Sequence, residues 1–261
     1  MSMPEAIEQK LCADYEIHLP LVTKLDEQTE GPLPVDVRRL TEGDALNSAA
    51  LFNVQGMLEK GKRRCIAYAH DLKSAQVMER ALTESGAALG ADVWVKTITY
   101  KLGGRRRKQL YDEFQTTETR VTRCVVNEEG ARVVQQRPRL CFLVAVRILD
   151  QCVDLAKTDA VLIAEPPNDV SDRYVGASLR RFVQRLGRAL RRKVDGRTSV
   201  VYVFAEQGSP WIDKVFAAIE EGLFDRDFRA RVRVCSFDPT RAPSSLTTQR
   251  VTRVAVVWNS S

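Results

Sequence analysis

The chain has 261 residues, 44% of them hydrophobic, enough to bury a full core for one α/β domain with extensions. Against 34 Asp and Glu stand 40 Lys and Arg, a net charge of +6 that suits a phosphate-rich partner, though many ordinary proteins are as basic. No apolar run approaches the roughly 18 residues of a membrane span, and no signal-peptide pattern opens the chain, so a soluble intracellular protein, cytoplasmic or nuclear, is expected, with no membrane partner. The cysteines at 12, 65, 124, 141, 152 and 235 form no C-x-x-C pair. They read as reduced, partly buried thiols, and a metal site is not expected.

In chain order, Pro4-Glu5-Ala6-Ile7-Glu8 suggests a short helix and 15–19 an extended strand, before a surface loop over 26–34 marked by Gly31-Pro32 and Pro34. From 44 to 60 the spacing of Leu46, Ala49, Ala50, Val54, Met57 and Leu58 predicts a helix, with Gly61 as its C-cap. Further strands are predicted at 65–69, 93–99, 141–146, 160–164 and 199–204, and helices at 73–85, 105–114 and 171–193. Residues 120–139 place Val121, Val125, Val126, Val133 and Val134 around Asn127-Glu128-Glu129-Gly130, the pattern of an inserted hairpin. Short apolar strands alternating with amphipathic helices argue for an α/β fold, a parallel sheet with helices on both faces. The expected division is a lead segment and connector over 1–43, a compact domain over 44–205 and an extension over 206–261.

The densest chemistry lies in 181–191, whose core reads Q-x-x-G-R-x-x-R. On a helix, Leu179, Phe182, Val183, Leu186 and Leu190 share an apolar stripe, while Gln184, Arg188 and Arg191 project from the opposite side. Cations crowd 180–193 without a carboxylate to offset them, except for an anion or an acidic partner opposite. A solvated basic face on a buried helix is the other reading of the same pattern. Gly187 sits at the edge of the stripe, either to let the helix approach a neighbour closely or as a tolerated helix glycine costing about 1 kcal/mol.

Upstream, 142–154 is an apolar strand running into a polar turn, followed by a strand at 160–164 and Glu165-Pro166-Pro167. With the arginine helix, this resembles motifs V and VI of superfamily-two helicases, and Cys65-Ile66-Ala67-Tyr68-Ala69-His70 before a helix resembles their motif IV. The order and spacing of the three match the second, C-terminal RecA-like domain of that family. The resemblance implies a RecA-like sheet, in which Arg188 and Arg191 occupy the arginine positions that reach a nucleotide triphosphate across a cleft. Gln184 occupies the position that helps orient the attacking water. Asp154 matches an acidic residue near the nucleotide sugar or those arginines, with an exposed turn aspartate as the alternative. The cofactors implied are ATP and Mg, bound mainly by a first RecA-like domain.

Motif V departs from its usual form, with Val146 in place of a threonine and Gln151-Cys152 in place of Glu-Gly before the aspartate. Val146 offers no hydroxyl to a phosphate oxygen, and Cys152 adds a side chain where bare backbone could approach a strand. Candidate contacts to a single-stranded DNA or RNA backbone are Arg105, Arg106 and Arg107, which follow Gly103-Gly104 into a helix, together with His70 and Arg147 at the ends of motif strands. A solvated helix start explains the arginines equally well. His70, and likewise His18, lacks a companion at metal-ligand spacing and reads otherwise as an ordinary loop position.

The sequence has no G-x-x-x-x-G-K-S/T loop and no acidic quartet after a strand, since Asp112-Glu113 falls in a predicted helix. Residues 4–20 resemble the connector that leads out of the first RecA-like domain in restriction-type and viral helicases. The expectation is a helicase or translocase motor domain whose first half is encoded upstream in the same frame or on a neighbouring gene. A non-catalytic nucleic-acid-binding or regulatory module is the alternative.

Overall fold

Local capping and apolar periodicity account for most of the elements. The computed structural model describes residues 2–22, 45–69, 71–126, 131–146, 148, 155–163, 184–191, 193, 198–203, 205–206, 220–221, 225–226 and 228–237. Helix α1 (Met3–Glu8) opens with a capping box: Ser2 Oγ accepts from the Glu5 N–H, and the Glu5 carboxylate accepts from the Ser2 N–H at 2.7 Å. After β1 (Tyr15–Val22), helix α2 (Ala45–Glu59) is followed by Gly61 at φ 65°, the left-handed position a glycine C-cap requires. Strand β2 (Arg64–Ala69) leads to α3 (Leu72–Ala88), capped by Asp71 accepting from the Ser74 N–H at 2.7 Å. Then come β3 (Asp92–Thr99), α4 (Gly104–Thr116), β4 (Arg120–Val126), β5 (Arg132–Val146) and β6 (Ala160–Ile163). Residues 184–189 form helix α5, followed by β7 (Ser199–Val203), β8 (Ala205–Glu206), a 3-10 turn (Phe228–Arg231) and β9 (Val232–Phe237).

The strands join in the order β3-β5-β2-β6-β7-β1, with β8 and β9 also pairing β1. Among the described strands every pairing is parallel except β4 with β5. Alternation along each strand feeds two cores. On one face Ile66, Tyr68, Leu143, Ile163 and Val201 meet Leu110 and Phe114 of α4 and Leu186 and Ala189 of α5. On the other, Cys65, Ala67, Phe142, Leu162 and Tyr202 meet Val54 and Met57 of α2 and Met78 and Leu82 of α3. Burial on both sides is why these strands read as continuous apolar runs.

Two expectations change. The lead segment does more than connect: β1 lies inside the sheet, paired with β7 through Ile17 and Val201 and with β9 through Ile17 and Val232. Strand β9, expected in an extension, shares that sheet. The arginine helix, expected to run to 193, ends at Ala189, because the next two residues turn to pair with residues 12 and 13.

Candidate nucleotide and nucleic-acid site

Helix α5 keeps the apolar stripe read from the sequence: Leu186, Ala189 and Leu190 are buried, while Gln184 and Gly187 are exposed and Arg185 and Arg188 half-buried. No described atom lies within 4 Å of where a Gly187 Cβ would stand. The Arg185 guanidinium lies 4.5 Å from the centre of the Tyr68 ring, a cation–π contact that ties the helix to β2.

Arg188 faces a neighbour the sequence did not flag. Burial raises the Tyr111 phenol above its ordinary pKa, while the charges of Arg107 and Arg188 act against that rise. Arg107 belongs to the basic start of α4 and Arg188 to α5. Both helices cover one face of the sheet, so two groups of arginines assigned separate roles from sequence stand on the same side of it. Tyr111 stands four residues after Arg107 on α4, one helical turn on, which is the signal that could have found it.

At the start of α4, Arg105 and Arg106 are exposed and Arg107 half-buried, and Gly103 supplies no side-chain cap. The first N–H groups of a helix carry partial positive charge, and three arginines beside them add more, so this end favours an anion. Arg106 reaches Glu113 only at 3.9 Å. The opposite end of α4 is satisfied by cations: Arg64 donates to the carbonyls of Phe114, Gln115 and Thr117 at 2.8, 3.3 and 2.5 Å, and Lys157 to that of Gln115 at 2.9 Å.

Arg191 departs from the helical arrangement read from sequence. It is half-buried in an extended segment that bridges Cys12, and the Ala13 N–H donates to the Leu190 carbonyl at 2.9 Å. Ser199 Oγ donates to the Ala189 carbonyl, and Lys193 Nζ to that of Thr158. The connector-like segment therefore holds the arginine segment by backbone hydrogen bonds, a link between sequence-distant residues.

His70, Arg147 and Asp154 lie outside the described residues. The strands preceding His70 and Arg147 end side by side, with Ala69 opposite Val146. Among the described residues no cluster of three His, Cys, Asp or Glu could hold a metal ion, and no helix is long and apolar enough to cross a membrane.

Solved structures share this architecture. The chain matches the ATP-dependent Type ISP restriction-modification enzyme LlaBIII bound to DNA with a TM-score of 0.62 at 14% identity, over 90% of this chain and 16% of that one. A fragment assigned to an HsdR subunit of a type I restriction enzyme from Vibrio vulnificus matches with a TM-score of 0.51 at 18% identity, over 92% of this chain and 39% of the other. The chain therefore shares its α/β fold, a mostly parallel sheet with helices on both faces, with a part of each of these two proteins. Domain 2 of the DEAD-box helicase Mss116p bound to an RNA duplex matches with a TM-score of 0.47 at 12% identity, over 79% of this chain and 60% of the other. No protein-family model and no curated protein matches the sequence. The domain spans 16% and 39% of the two restriction proteins, so it corresponds to a part of each.

Proposed function

We propose that this helicase-like domain is the second motor half of an ATP-dependent nucleic-acid helicase or translocase. The observation that carries the reading is the placement of α5. Leu186, Ala189 and Leu190 anchor the helix in the core, while Gln184 is exposed and Arg188 half-buried. Bound ATP with magnesium would supply the phosphoryl group whose transfer drives movement. The described residues offer cations for its phosphate end, Arg107 and Arg188, on two helices that cover one face of the sheet, and contain no acidic cluster for its metal. A first RecA-like domain, in cis or in trans, would hold the magnesium and most of the nucleotide.

Within that assembly, Arg188 and Arg191 offer planar, permanently charged donors to phosphate oxygens as negative charge develops. Gln184, exposed on α5, could hydrogen-bond the attacking water, and Asp154 would lie near the nucleotide. The single-stranded backbone of DNA or RNA would run over Arg105, Arg106 and Arg107, with His70 and Arg147 at the adjoining strand ends.

ATP turnover tests the reading. The chain alone should hydrolyse no ATP, because arginine fingers stabilise a transition state that other groups must assemble. In an assembly containing the phosphate-loop domain, Arg188→Ala or Arg191→Ala should slow turnover on the order of a thousandfold. Steady hydrolysis by the chain alone, or near-normal turnover in both variants, would return the helix to a solvated basic face. If no phosphate-loop polypeptide associates and no turnover is found, the non-catalytic binding module replaces the motor.

A further inference from the structure

The β4–β5 ribbon takes no part in the function proposed above. Strand β5 is 15 residues long, and only its second half is embedded in the sheet. Arg139 lies opposite Asp92, the first residue of β3, and Cys141 opposite Arg64, the first of β2. The first half of β5 therefore leaves the sheet beyond the starts of its neighbours, paired only with β4 among the described strands, from Arg120 opposite Pro138 to Val126 opposite Arg132. At about 3.4 Å per residue this two-stranded ribbon extends on the order of 20 Å. It projects from the edge opposite the one where β3 ends and α4 begins, so the buried length of β5 separates it from Arg105, Arg106 and Arg107.

A lone two-stranded ribbon is marginally stable in water, and this one has solvent on both faces: Thr122, Arg123, Cys124, Arg132, Gln135 and Gln136 are exposed. Val134 is 70% exposed and Val133 40%. The described parts of the ribbon carry arginines and no carboxylate. Asp92, at its base, engages Arg123 at 2.6 Å and Arg139 at 2.5 Å. Among the described residues no carboxylate pairs with Arg120, Arg132 or Arg137, and Arg137 donates instead to Gln135 at 3.0 Å.

We propose that this ribbon is a second nucleic-acid surface that grips duplex rather than single strand. Arg120, Arg123, Arg132 and Arg137 outnumber Glu128 and Glu129 in the sequence that joins the strands, so the net charge complements a phosphate backbone, and arginine matches phosphate oxygens with paired donors. Its shape selects the duplex, because a two-stranded β-ribbon fits a B-DNA major groove about 12 Å wide. The exposed valines at its outer end would meet base edges or methyl groups there. No residue of the nucleotide site enters this assignment, so the ribbon's role stands apart from the motor reading.

The test is anisotropy on the full chain with a labelled mixed-sequence DNA duplex of about 20 base pairs and, separately, one of its strands, across a salt series. Replacing Arg120→Gln, Arg132→Gln and Arg137→Gln together spares both Asp92 pairs. The slope of log K against log salt for duplex should become shallower by about two to three, at about 0.9 for each phosphate no longer neutralised, while single-strand binding stays within about twofold. An unchanged duplex slope, a parallel fall in single-strand binding, or no duplex binding by the unaltered chain would overturn the proposal. A measurement free of variants is alkylation of Cys124, exposed on the ribbon, followed by peptide mass spectrometry. Saturating duplex should slow its modification several-fold. Equal reactivity with and without duplex would overturn the proposal, as would equal protection by polyglutamate, which would mark an acidic-protein surface.

Discussion

Removing the Asp225 carboxylate should destabilise the domain by about 3 kcal/mol, because that carboxylate joins the C-terminal segment to β1 from a fully buried position. Its Oδ2 accepts from Tyr15 Oη at 2.5 Å and pairs with Arg231 at 3.2 Å, and its side chain is 0% exposed. In Asp225→Ala the Tyr15 hydroxyl is left buried, at a cost of about 1–3 kcal/mol, and the removal of a buried charge partner adds to it. The second contribution stays below the full range for a buried pair, because Arg231 is 23% exposed and keeps Asp14 at 3.1 Å. Tyr15→Phe removes the donor and leaves the Arg231 pair, so about 1–2 kcal/mol is expected. The double variant should cost little more than Asp225→Ala alone, since both changes remove one shared hydrogen bond. Equilibrium denaturation in urea measures all three. A cost below about 1 kcal/mol for Asp225→Ala, or strict additivity in the double variant, would refute the buried network as the clamp on β1.

Three further outcomes are expected. If about three phosphates contact Arg105, Arg106 and Arg107, single-strand affinity should fall with salt at a slope near −2, and replacing all three with alanine should flatten it; a salt-independent affinity would count against that surface. Burial raises the Glu16 pKa, but hydrogen bonds from Lys60 at 2.6 Å and His18 at 3.1 Å outweigh it and bring it down to about 2. A folded value below the unfolded value of about 4.3 means that this stability is complete above about pH 4.3 and is lost as pH falls towards 2; Glu16→Gln should flatten acid denaturation curves in that window. A Cβ on Gly86 would stand 2.1 Å from Val93 Cγ2, so Gly86→Ala should cost about 1–3 kcal/mol despite its better helix propensity, and Val93→Ala in the same chain should recover part of that in a thermal melt.

The sequence made visible the elements whose determinants are local. Strands with uninterrupted apolar runs, such as the one through Ile66 and Tyr68, and the helix closed by Gly61 stand within a residue or two of where periodicity put them. The β4–β5 pairing also followed from its flanking valines. Strand β1 was legible as extended but not as a sheet member. Tyr15 and Ile17 alternate with the half-buried Glu16 and His18, and their partners, Ser199, Val201 and Val232, lie nearly two hundred residues away or more. Leu190-Arg191-Arg192-Lys193 has good helix propensity, yet the first two leave the helix because the backbone at 12 and 13 offers them partners. Asp225 carried no sign of burial in Phe224-Asp225-Arg226-Asp227-Phe228, where it is one of two aspartates in a polar run.

These non-local contacts divide the control of the two arginines. Arg188 sits on α5, and the burial of Leu186 and Ala189 against the sheet fixes that helix. Its position depends on the core and should survive any strain on the chain ends. Arg191 lies one residue past the last core leucine, in a segment held by Cys12 and by the Ala13 N–H. Its backbone position depends on residues 12 and 13, which in turn lead into β1, where Asp14 meets Arg231 and Tyr15 meets Asp225. A pull on α1 would therefore reach Arg191 through two backbone contacts, while reaching Arg188 only by displacing buried leucines. The two arginines are thus held by different parts of the structure. Arg188 is held by the core, and the backbone of Arg191 by residues 12 and 13. Side chains on one helix face could not be separated in this way; ending α5 at Ala189 separates them.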